Sequence, residues 1–401
     1  MRTTERARMP TPEQLEIQAL AREFAETELR PRAAGWDERR ALDGYVFDKL
    51  AELGFLGMLV TEEHGGLAFD FATYLLVLEE LAAGDASVAL SVAVHNGQVA
   101  SLISRHGSEA QKKRWLPALA SGEALGAFAL SDLGEGSDAA SVETHARRDG
   151  AGWRLMGEKR WITNGARAGV VVMFARVGEG DDGGVGAFLV TPGAKGYAVA
   201  KRERTLGLRA SETVSVTLDD LAVEADALVG DAGSGLQCAL EALDMGRVGC
   251  AALAVGIGRA ALEHAATYAL EREQFDRPIA RFGAIQEKLA RMAERLAAAR
   301  ALTCEAGAAV QAARNGAGHP RTGLDGVTAR AAMAKVSASE AATWVADEAI
   351  QIFGGYGYMR HYPVERLLRD AKGTEIFEGT SRIMRHVIAR ELLRDAGDTN
   401  E

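Results

Sequence analysis

The chain has 401 residues, of which 47% are apolar and 25% charged, and its formal net charge is −10. This composition is typical of a globular protein of two or three domains, and the acidic balance argues against a general affinity for nucleic acid or an anionic membrane. Three scattered cysteines are too few for a disulfide framework or a metal site. The N-terminus lacks the apolar run of a secretory signal, and no stretch approaches the roughly 18 uninterrupted apolar residues of a membrane span, which predicts a cytoplasmic protein.

Helical patterns fill the first third of the chain. Residues 11–14 combine an N-cap, a proline at the first helical position and the glutamine of a capping box. Apolar residues follow at helical spacing until Pro31, which is predicted to stop this helix. Two later stretches are apolar around much of their circumference, which predicts buried helices ending at Gly84 and Gly107. The sequence thus predicts an N-terminal all-α domain at residues 1–123.

At about Ala124 the period of the apolar residues changes from helical to alternating. Short runs bounded by turn residues then predict strands. The runs are ALGAFALSD, WRLMGEKRWIT, GVVVMFARV, VGAFLVTP and ETVSVTLDDLAV. They predict a mostly antiparallel, β-barrel-like middle domain at residues 124–235.

From about Leu236 the helical period returns in segments of roughly 30 residues joined by short loops, which predicts an antiparallel bundle at residues 236–401. The predicted fold class is therefore multi-domain α+β, with an N-terminal helical domain, a central antiparallel sheet and a C-terminal helical bundle. No strand–GxGxxG–helix unit opens the chain, which counts against a Rossmann-type nicotinamide enzyme.

Four segments have the residue types of a ligand site, and each also has a purely structural interpretation. AFALSDLGEGSDAAS, at residues 127–141, offers amides and hydroxyls to an oxygen-rich ligand or forms a solvated turn. Trp161 of GEKRWITNG packs in a core or against a flat ligand. Asp244 and Arg247 of LDMGR form an intrahelical ion pair or recognise a polar or anionic ligand in the bundle. The adjacent glycines of QIFGGYGY cap a helix or let the backbone approach a phosphate.

Glu378 of EIFEGTS has no lysine or arginine beside it in the sequence. Considered alone, a glutamate in such a turn is ordinarily exposed, because glutamate is rarely buried without a partner.

In their order and spacing these segments resemble the acyl-CoA dehydrogenase family from about residue 12 to residue 396. The resemblance is closest in LDMGRVGCAALAVGIGRAALEHAATYALEREQF and RDAKGTEIFEGTSRIMRHVIARELL. It implies a C-terminal four-helix bundle, FAD as cofactor, an acyl-CoA substrate, a role in fatty acid β-oxidation, and a homotetramer built as a dimer of dimers. LDMGRVG and SVAVHN are most similar to the short-chain branch, while medium-chain and branched-chain substrates stay open.

The resemblance also implies roles for particular residues. The following positions match those that contact FAD: Phe128, Leu130, Ser131, Gly136, Ser137, Trp161, Ile162, Thr163 and Thr380. A further set matches positions that reach the FAD of a neighbouring subunit: Arg272, Phe275, Gln351, Gly354 and Gly355. Positions at the acyl-CoA site are Ser137, Asp244, Arg247, Phe377 and Gly379.

Glu378 matches the base of the family's main branch. The base takes the pro-R α-proton of the acyl thioester while the β-hydrogen leaves as hydride to flavin N5, giving a trans-2-enoyl-CoA. Desolvation must then raise the pKa of Glu378, and pre-placed donors must stabilise the enolate oxygen. In relatives these donors are the backbone N–H of the base and a ribityl hydroxyl of FAD. The positive end of the final helix favours the ionised carboxylate, so the balance stays open.

Other branches place the base one residue before the arginine of LDMGR. That position is Gly246 here, which has no side chain to serve. Several other positions also depart from the family's pattern. They are Ser131-Asp132-Leu133 for Thr/Ser-Glu-Pro, Gly283 for Gln, Phe353 for His, Phe377 for Tyr, and Arg382 for Glu or Gln.

The predicted electron acceptor is an electron-transferring flavoprotein. An oxidase that uses oxygen and a dehydrogenase of carrier-protein thioesters are alternatives within the same fold. A non-catalytic DNA-binding member is disfavoured, because residues 238–401 carry 21 basic and 21 acidic side chains and so present no basic footprint.

Overall fold

The structure is a computed structural model that describes residues 10–134, 136, 138–178, 184–316 and 322–397. The N-terminal region is helical. Its helices are α1 (Pro12–Phe24), α2 (Arg30–Arg39), α3 (Gly44–Glu52), α4 (Phe71–Gly84), α5 (Ala86–Ala93), α6 (Ser101–His106) and α7 (Glu109–Ala120). Two π-helical segments, Ala25–Leu29 and Val94–Ala100, join α1 to α2 and α5 to α6. The predicted capping box is confirmed, since the side chains and backbone amides of Thr11 and Gln14 bond reciprocally.

Pro31 does not stop the first helix, so that prediction is wrong. α1 continues through the π-helical segment Ala25–Leu29 into α2, and Pro31 lies in the first turn of α2. Proline is tolerated there because an amide hydrogen in the first turn of an α-helix has no intrahelical partner to lose. The hydrogen-bond pattern changes in the π-helical segment, so α2 begins there with a first turn of its own.

The stretch Ala86–His106 is long and apolar enough to cross a membrane by length and composition, but its apolar window is entirely buried inside the protein. Several of its polar side chains are paired internally, whereas Asn96 Oδ1 and Ser104 Oγ have no hydrogen-bond partner in the described part of the chain. His95 Nε2 lies 2.9 Å from the carbonyl oxygen of Leu56, and Asn96 Nδ2 donates to that of Phe55 at 3.0 Å. Burial with paired polar groups is what a core helix requires.

The middle region forms one eight-stranded sheet within the described residues. Its strands are β1 (Gly126–Ala129), β2 (His145–Asp149), β3 (Gly152–Thr163), β4 (Val170–Val177), β5 (Val185–Val190), β6 (Tyr197–Arg202), β7 (Thr213–Val223) and β8 (Leu228–Val229). The order is β6-β7-β3-β2-β4-β5-β8, with β1 beside β4. All five predicted strand segments form strands. The pairing is mainly antiparallel, as predicted, but β1 and β2 both run parallel to β4.

The C-terminal region returns to helix. It contains α8 (Gly235–Glu271), the ribbon strands β9 (Glu273–Gln274) and β10 (Arg277–Pro278), α9 (Gly283–Arg314), α10 (Val327–Phe353), α11 (Val364–Thr374) and α12 (Ser381–Asp395). Helix α10 packs against α8, α9, α11 and α12, which confirms the predicted bundle. Helix α8 also packs on α4 and α5, so the two helical regions share one apolar core, to which one face of β4 and β5 also contributes. The other face of the sheet has a separate core.

Candidate active site

Glu378 lies in the short loop between α11 and α12, with its backbone in the left-handed region at φ +58. For a residue other than glycine this conformation costs on the order of 1–3 kcal/mol, so the surroundings must hold it. Thr380 caps α12 by accepting a hydrogen bond from Ile383 N at 3.3 Å. Lys335 Nζ donates to the carbonyl oxygen of Gly379, and Arg247 Nε donates to that of Glu378 at 3.3 Å.

The two oxygens of the Glu378 carboxylate have different surroundings. Oε1 accepts a hydrogen bond from Gln98 Nε2 at 2.9 Å. Oε2 is buried and has no hydrogen-bond partner in the described part of the chain. Helix α8 passes so close that a Cβ atom on Gly246 would lie 2.8 Å from Oε2. The absence of a side chain at Gly246 therefore makes room for the Glu378 carboxylate.

Burial raises the pKa of Glu378 from 4.5 to about 7, against the opposing effects of Arg247, Lys335 and the Gln98 hydrogen bond. The residue as a whole is partly exposed, but the unpaired Oε2 is fully shielded from solvent. Desolvation therefore outweighs the two cations and the hydrogen bond from Gln98. The two cations contact backbone carbonyls of the loop and not the carboxylate, which is why they leave its basicity high. A carboxyl group with a pKa near 7 is well matched to proton abstraction at neutral pH.

Asp244 and Arg247 form the intrahelical ion pair that was one of the two alternatives. Arg247 Nη1 lies 2.9 Å from Asp244 Oδ1, and both side chains are buried. Asp244 also accepts a hydrogen bond from Thr328 Oγ1 at 2.8 Å. The pair orients Arg247 toward the loop of Glu378. Its role toward a substrate stays a prediction, as do those of Phe377 and Gly379, which flank Glu378.

The loop expected at the flavin follows β1 and is fixed to β3. Leu130 O accepts from Lys159 Nζ at 2.8 Å, and Ser131 O accepts from Arg160 N at 2.9 Å. Asp132, which departs from the family's pattern, pairs with Lys159 at 2.8 Å with both side chains almost fully buried. Burial lowers the pKa of Lys159 to about 8, although Asp132 opposes the shift. Asp132 therefore anchors this loop, a role that the sequence did not reveal.

Trp161 does not pack in the core. Its side chain is 56% exposed, and its backbone is left-handed at φ +62 within an irregular stretch of β3. The neighbouring Ile162 points into the core of the sheet, and Thr163 is partly buried. Phe128 packs on Phe174 with ring centroids 5.0 Å apart. An exposed indole beside the anchored loop is suited to stacking on a flat ligand. Gly136 is exposed, and Ser137 lies outside the described residues.

A second group of expected residues surrounds a different cavity, of about 710 Å³. Arg272, Phe275, Gly354 and Gly355 line it, and Phe275 is 86% exposed. All of its described lining residues belong to the C-terminal helical region, so within one chain this group is separate from β1 and β3. Gln351 is exposed in the last turn of α10. Phe353, where relatives often have histidine, stacks on Tyr268 with ring centroids 4.0 Å apart.

Sequence reasoning missed Gln98 and Lys335. Lys335 is fully buried in a helix of small residues, and an isolated lysine in the segment AAMAKVSAS was a signal that could have identified it. Gln98 carried no comparable signal, because a glutamine in an apolar helix is equally compatible with a surface position.

Three protein-family models match the chain in the order of its three regions. They are the N-terminal, middle and C-terminal domains of acyl-CoA dehydrogenase, at residues 11–123, 127–221 and 233–393. A mitochondrial short-chain specific acyl-CoA dehydrogenase of Bos taurus is 41% identical over 379 residues, which cover 94% of this chain and 89% of the relative.

Solved structures agree with these matches. Butyryl-CoA dehydrogenase from Megasphaera elsdenii is 37% identical, with a TM-score of 0.91, over 96% of this chain and 100% of that one. A glutaryl-CoA dehydrogenase from Mycobacterium smegmatis, solved in complex with FADH2, is 33% identical, with a TM-score of 0.87, over 95% of this chain and 94% of that one. The chain belongs to the acyl-CoA dehydrogenase family of FAD-dependent oxidoreductases.

Proposed function

We propose that the protein oxidises a short-chain acyl-CoA to the trans-2-enoyl-CoA and that Glu378 is the base. The observation that carries this proposal is the Glu378 carboxylate itself, which is buried, has one unpaired oxygen, and has a pKa raised to about 7. The names of the short-chain and butyryl-CoA relatives support a short acyl chain.

Proton abstraction requires a free, basic oxygen close to the α-carbon of the thioester. Oε2 of Glu378 fits this requirement, because it has no described partner whereas Oε1 is bonded to Gln98. Negative charge then develops on the thioester oxygen and needs a pre-placed donor. The backbone N–H of Glu378 donates to no described acceptor, so it is available for this purpose. Arg247 and Lys335 keep the loop in position through its carbonyl oxygens.

The described residues at the ends of β1 and β3 fit a flavin. Trp161 offers an exposed indole face, Thr163 a hydroxyl, and the loop at Leu130 and Ser131 is held still by the buried pair of Lys159 and Asp132. FAD bound there would supply the two-electron acceptor for the β-hydrogen, which leaves as hydride. The residues of the chain contribute by binding the ring system and excluding water from it.

The cavity around Arg272 and Phe275 supports a second proposal, that the chain works as an oligomer. An 86% exposed phenylalanine and glycines open to solvent are suited to contact with another molecule. We propose that this cavity receives part of the FAD of a second copy in a homotetramer, and that an electron-transferring flavoprotein takes the electrons.

The test is anaerobic titration of the FAD-loaded protein with a panel of straight, branched and dicarboxylic acyl-CoA thioesters. Bleaching of the flavin absorbance by butyryl-CoA, with formation of the enoyl-CoA, is the expected result. A flavin that no acyl-CoA bleaches would overturn the proposal. Comparing dye reduction with oxygen consumption during turnover separates a dehydrogenase from an oxidase.

A further inference from the structure

Gln98 is 3% exposed and occupies the π-helical segment Val94–Ala100. A π-helical turn holds one residue more than an α-helical turn, so it rotates the side chains that follow it, and such turns are frequent at functional sites. In this segment His95 Nδ1 accepts a hydrogen bond from Gly126 N of β1 at 3.0 Å, and Gln98 Nε2 reaches the Glu378 carboxylate at 2.9 Å. The segment therefore connects the flavin-side strand with the loop of Glu378.

The orientation of the Gln98 amide follows from the chemistry of its partner. An ionised carboxylate only accepts hydrogen bonds, so the amide must present its NH2 group to Glu378. Helix α8 confines this contact, because a Cβ atom on Gly246 would lie 3.0 Å from Gln98 Nε2 as well as 2.8 Å from Glu378 Oε2. The carboxylate is thus enclosed between α8 and the amide.

We infer that Gln98 is a positioning residue for the base: it holds Oε1, leaves Oε2 as the oxygen that receives the proton, and stabilises the ionised carboxylate. This inference rests on the proposed function of Glu378.

Other groups also face the carboxylate. Arg247 from α8 and Lys335 from α10 favour its ionised form. Tyr74 from α4 and Cys250 from α8 are fully buried nearby, and burial keeps both in their neutral forms at physiological pH. The cations bond to backbone carbonyls of the loop, so Gln98 makes the one side-chain hydrogen bond to the carboxylate among the described residues. Loss of its amide removes a stabilising contact that these groups do not replace.

The experiment compares the pH dependence of kcat/KM for butyryl-CoA in the FAD-loaded wild type, Gln98→Met and Gln98→Glu. Methionine retains the bulk of glutamine but cannot donate. A lost hydrogen bond to a charged group corresponds to a pKa shift of about one unit. The rising limb of the pH profile of Gln98→Met should therefore move to higher pH by that amount. Gln98→Glu also adds a like charge and should shift further. Above the new midpoint, kcat should approach the wild-type value, because the carboxylate is then ionised.

Ser101→Ala is the matched control, because Ser101 is a buried polar residue near the same segment that bonds to the carbonyl oxygen of Asn96 and not to Glu378. Its midpoint should equal that of the wild type. A Gln98→Met protein whose kcat falls equally at every pH with an unmoved midpoint would overturn the inference. If that variant does not fold, the nearly isosteric Gln98→Glu decides by the same criterion. A wild type that does not oxidise butyryl-CoA refutes the proposed function instead, and the two failures are thereby distinguished.

Discussion

Replacing Glu378 by glutamine should stabilise the fold at alkaline pH while it abolishes turnover. Glutamine resembles the protonated carboxyl group in shape, can accept the Gln98 hydrogen bond through its oxygen, and carries no charge. The folded protein raises the pKa of Glu378 from 4.5 to about 7 and therefore binds a proton more tightly there than the unfolded chain does. The native state is therefore destabilised, relative to the unfolded chain, at every pH at which Glu378 must lose this proton.

The magnitude follows from the size of the shift. Two and a half pKa units correspond to about 3 kcal/mol, because each unit is worth about 1.4 kcal/mol. Below pH 4.5 the carboxyl group is protonated in both states and the cost vanishes. The cost grows as the pH rises between the unfolded and folded pKa values, and it is fully present above about pH 7. Glu378→Gln should therefore exceed the wild type in free energy of unfolding by about 3 kcal/mol at pH 8.

The assay is urea unfolding of both proteins at pH 5 and pH 8, at equal protein concentration and with saturating FAD, because bound FAD and association also stabilise the native state. Glu375→Gln is the control, since Glu375 lies in the same loop but pairs with Lys372 at 2.6 Å. Its effect should stay within about 1 kcal/mol. Turnover of Glu378→Gln should fall by several orders of magnitude while the flavin stays bound. A stability difference that is absent at pH 8, or equal at both pH values, would refute the reasoning.

Three further predictions concern Glu378, its neighbour Gly246, and the buried pair of Lys159 and Asp132. Wild-type kcat/KM should rise with pH through about 7 and then level off, and a profile that is flat from pH 5 would contradict Glu378 as the base. Gly246→Ala places a Cβ atom 2.8 Å from Glu378 Oε2 and so displaces the carboxylate. This change should reduce kcat roughly 100-fold while FAD stays bound. An unchanged kcat would show that the carboxylate does not act from the position seen in the structure. Lys159→Met leaves the buried Asp132 charge without its partner and should lower the free energy of unfolding in urea by roughly 3–5 kcal/mol. The double variant Lys159→Met with Asp132→Asn should recover part of that loss. No recovery would mean that lost packing, and not the unpaired charge, caused the destabilisation.

Periodicity predicted the order of helix, sheet and helix because burial imposes a repeat of 3.6 residues on helices and of two on strands. Strands β4 and β5 are buried on both faces and were found as short continuous apolar runs bounded by turn residues. Strand β6 was missed because almost all of its side chains are exposed, so no core imposes an alternation. Pro31 misled the prediction because a π-helical segment that restarts a helix has no signature in local residue propensities.

The residues of the candidate site also fall into those that the sequence could predict and those that it could not. Glu378 was predicted as the base because its flanking segment resembles a family whose base lies at that position. Its environment could not be predicted, because Gln98, Gly246 and Lys335 come from three other segments of the chain and meet the loop only in the folded protein. Whether burial or nearby charge controls its pKa depends on distances between these segments, and a sequence does not give those distances.

The same geometry explains why Gly246 and Glu378 occur together. A side chain on α8 at position 246 and the carboxylate from the loop at position 378 would occupy the same space. The double variant Gly246→Glu with Glu378→Gly should therefore carry its carboxylate on α8 and recover part of the activity that Glu378→Gly alone loses. Glycine also relieves the left-handed backbone at φ +58. Reduction of the flavin by butyryl-CoA measures the recovery. A double variant no faster than Glu378→Gly would mean that α8 cannot direct a carboxylate to the reacting carbon. Positions 246 and 378 would then compete for the same space without being interchangeable as the site of the base.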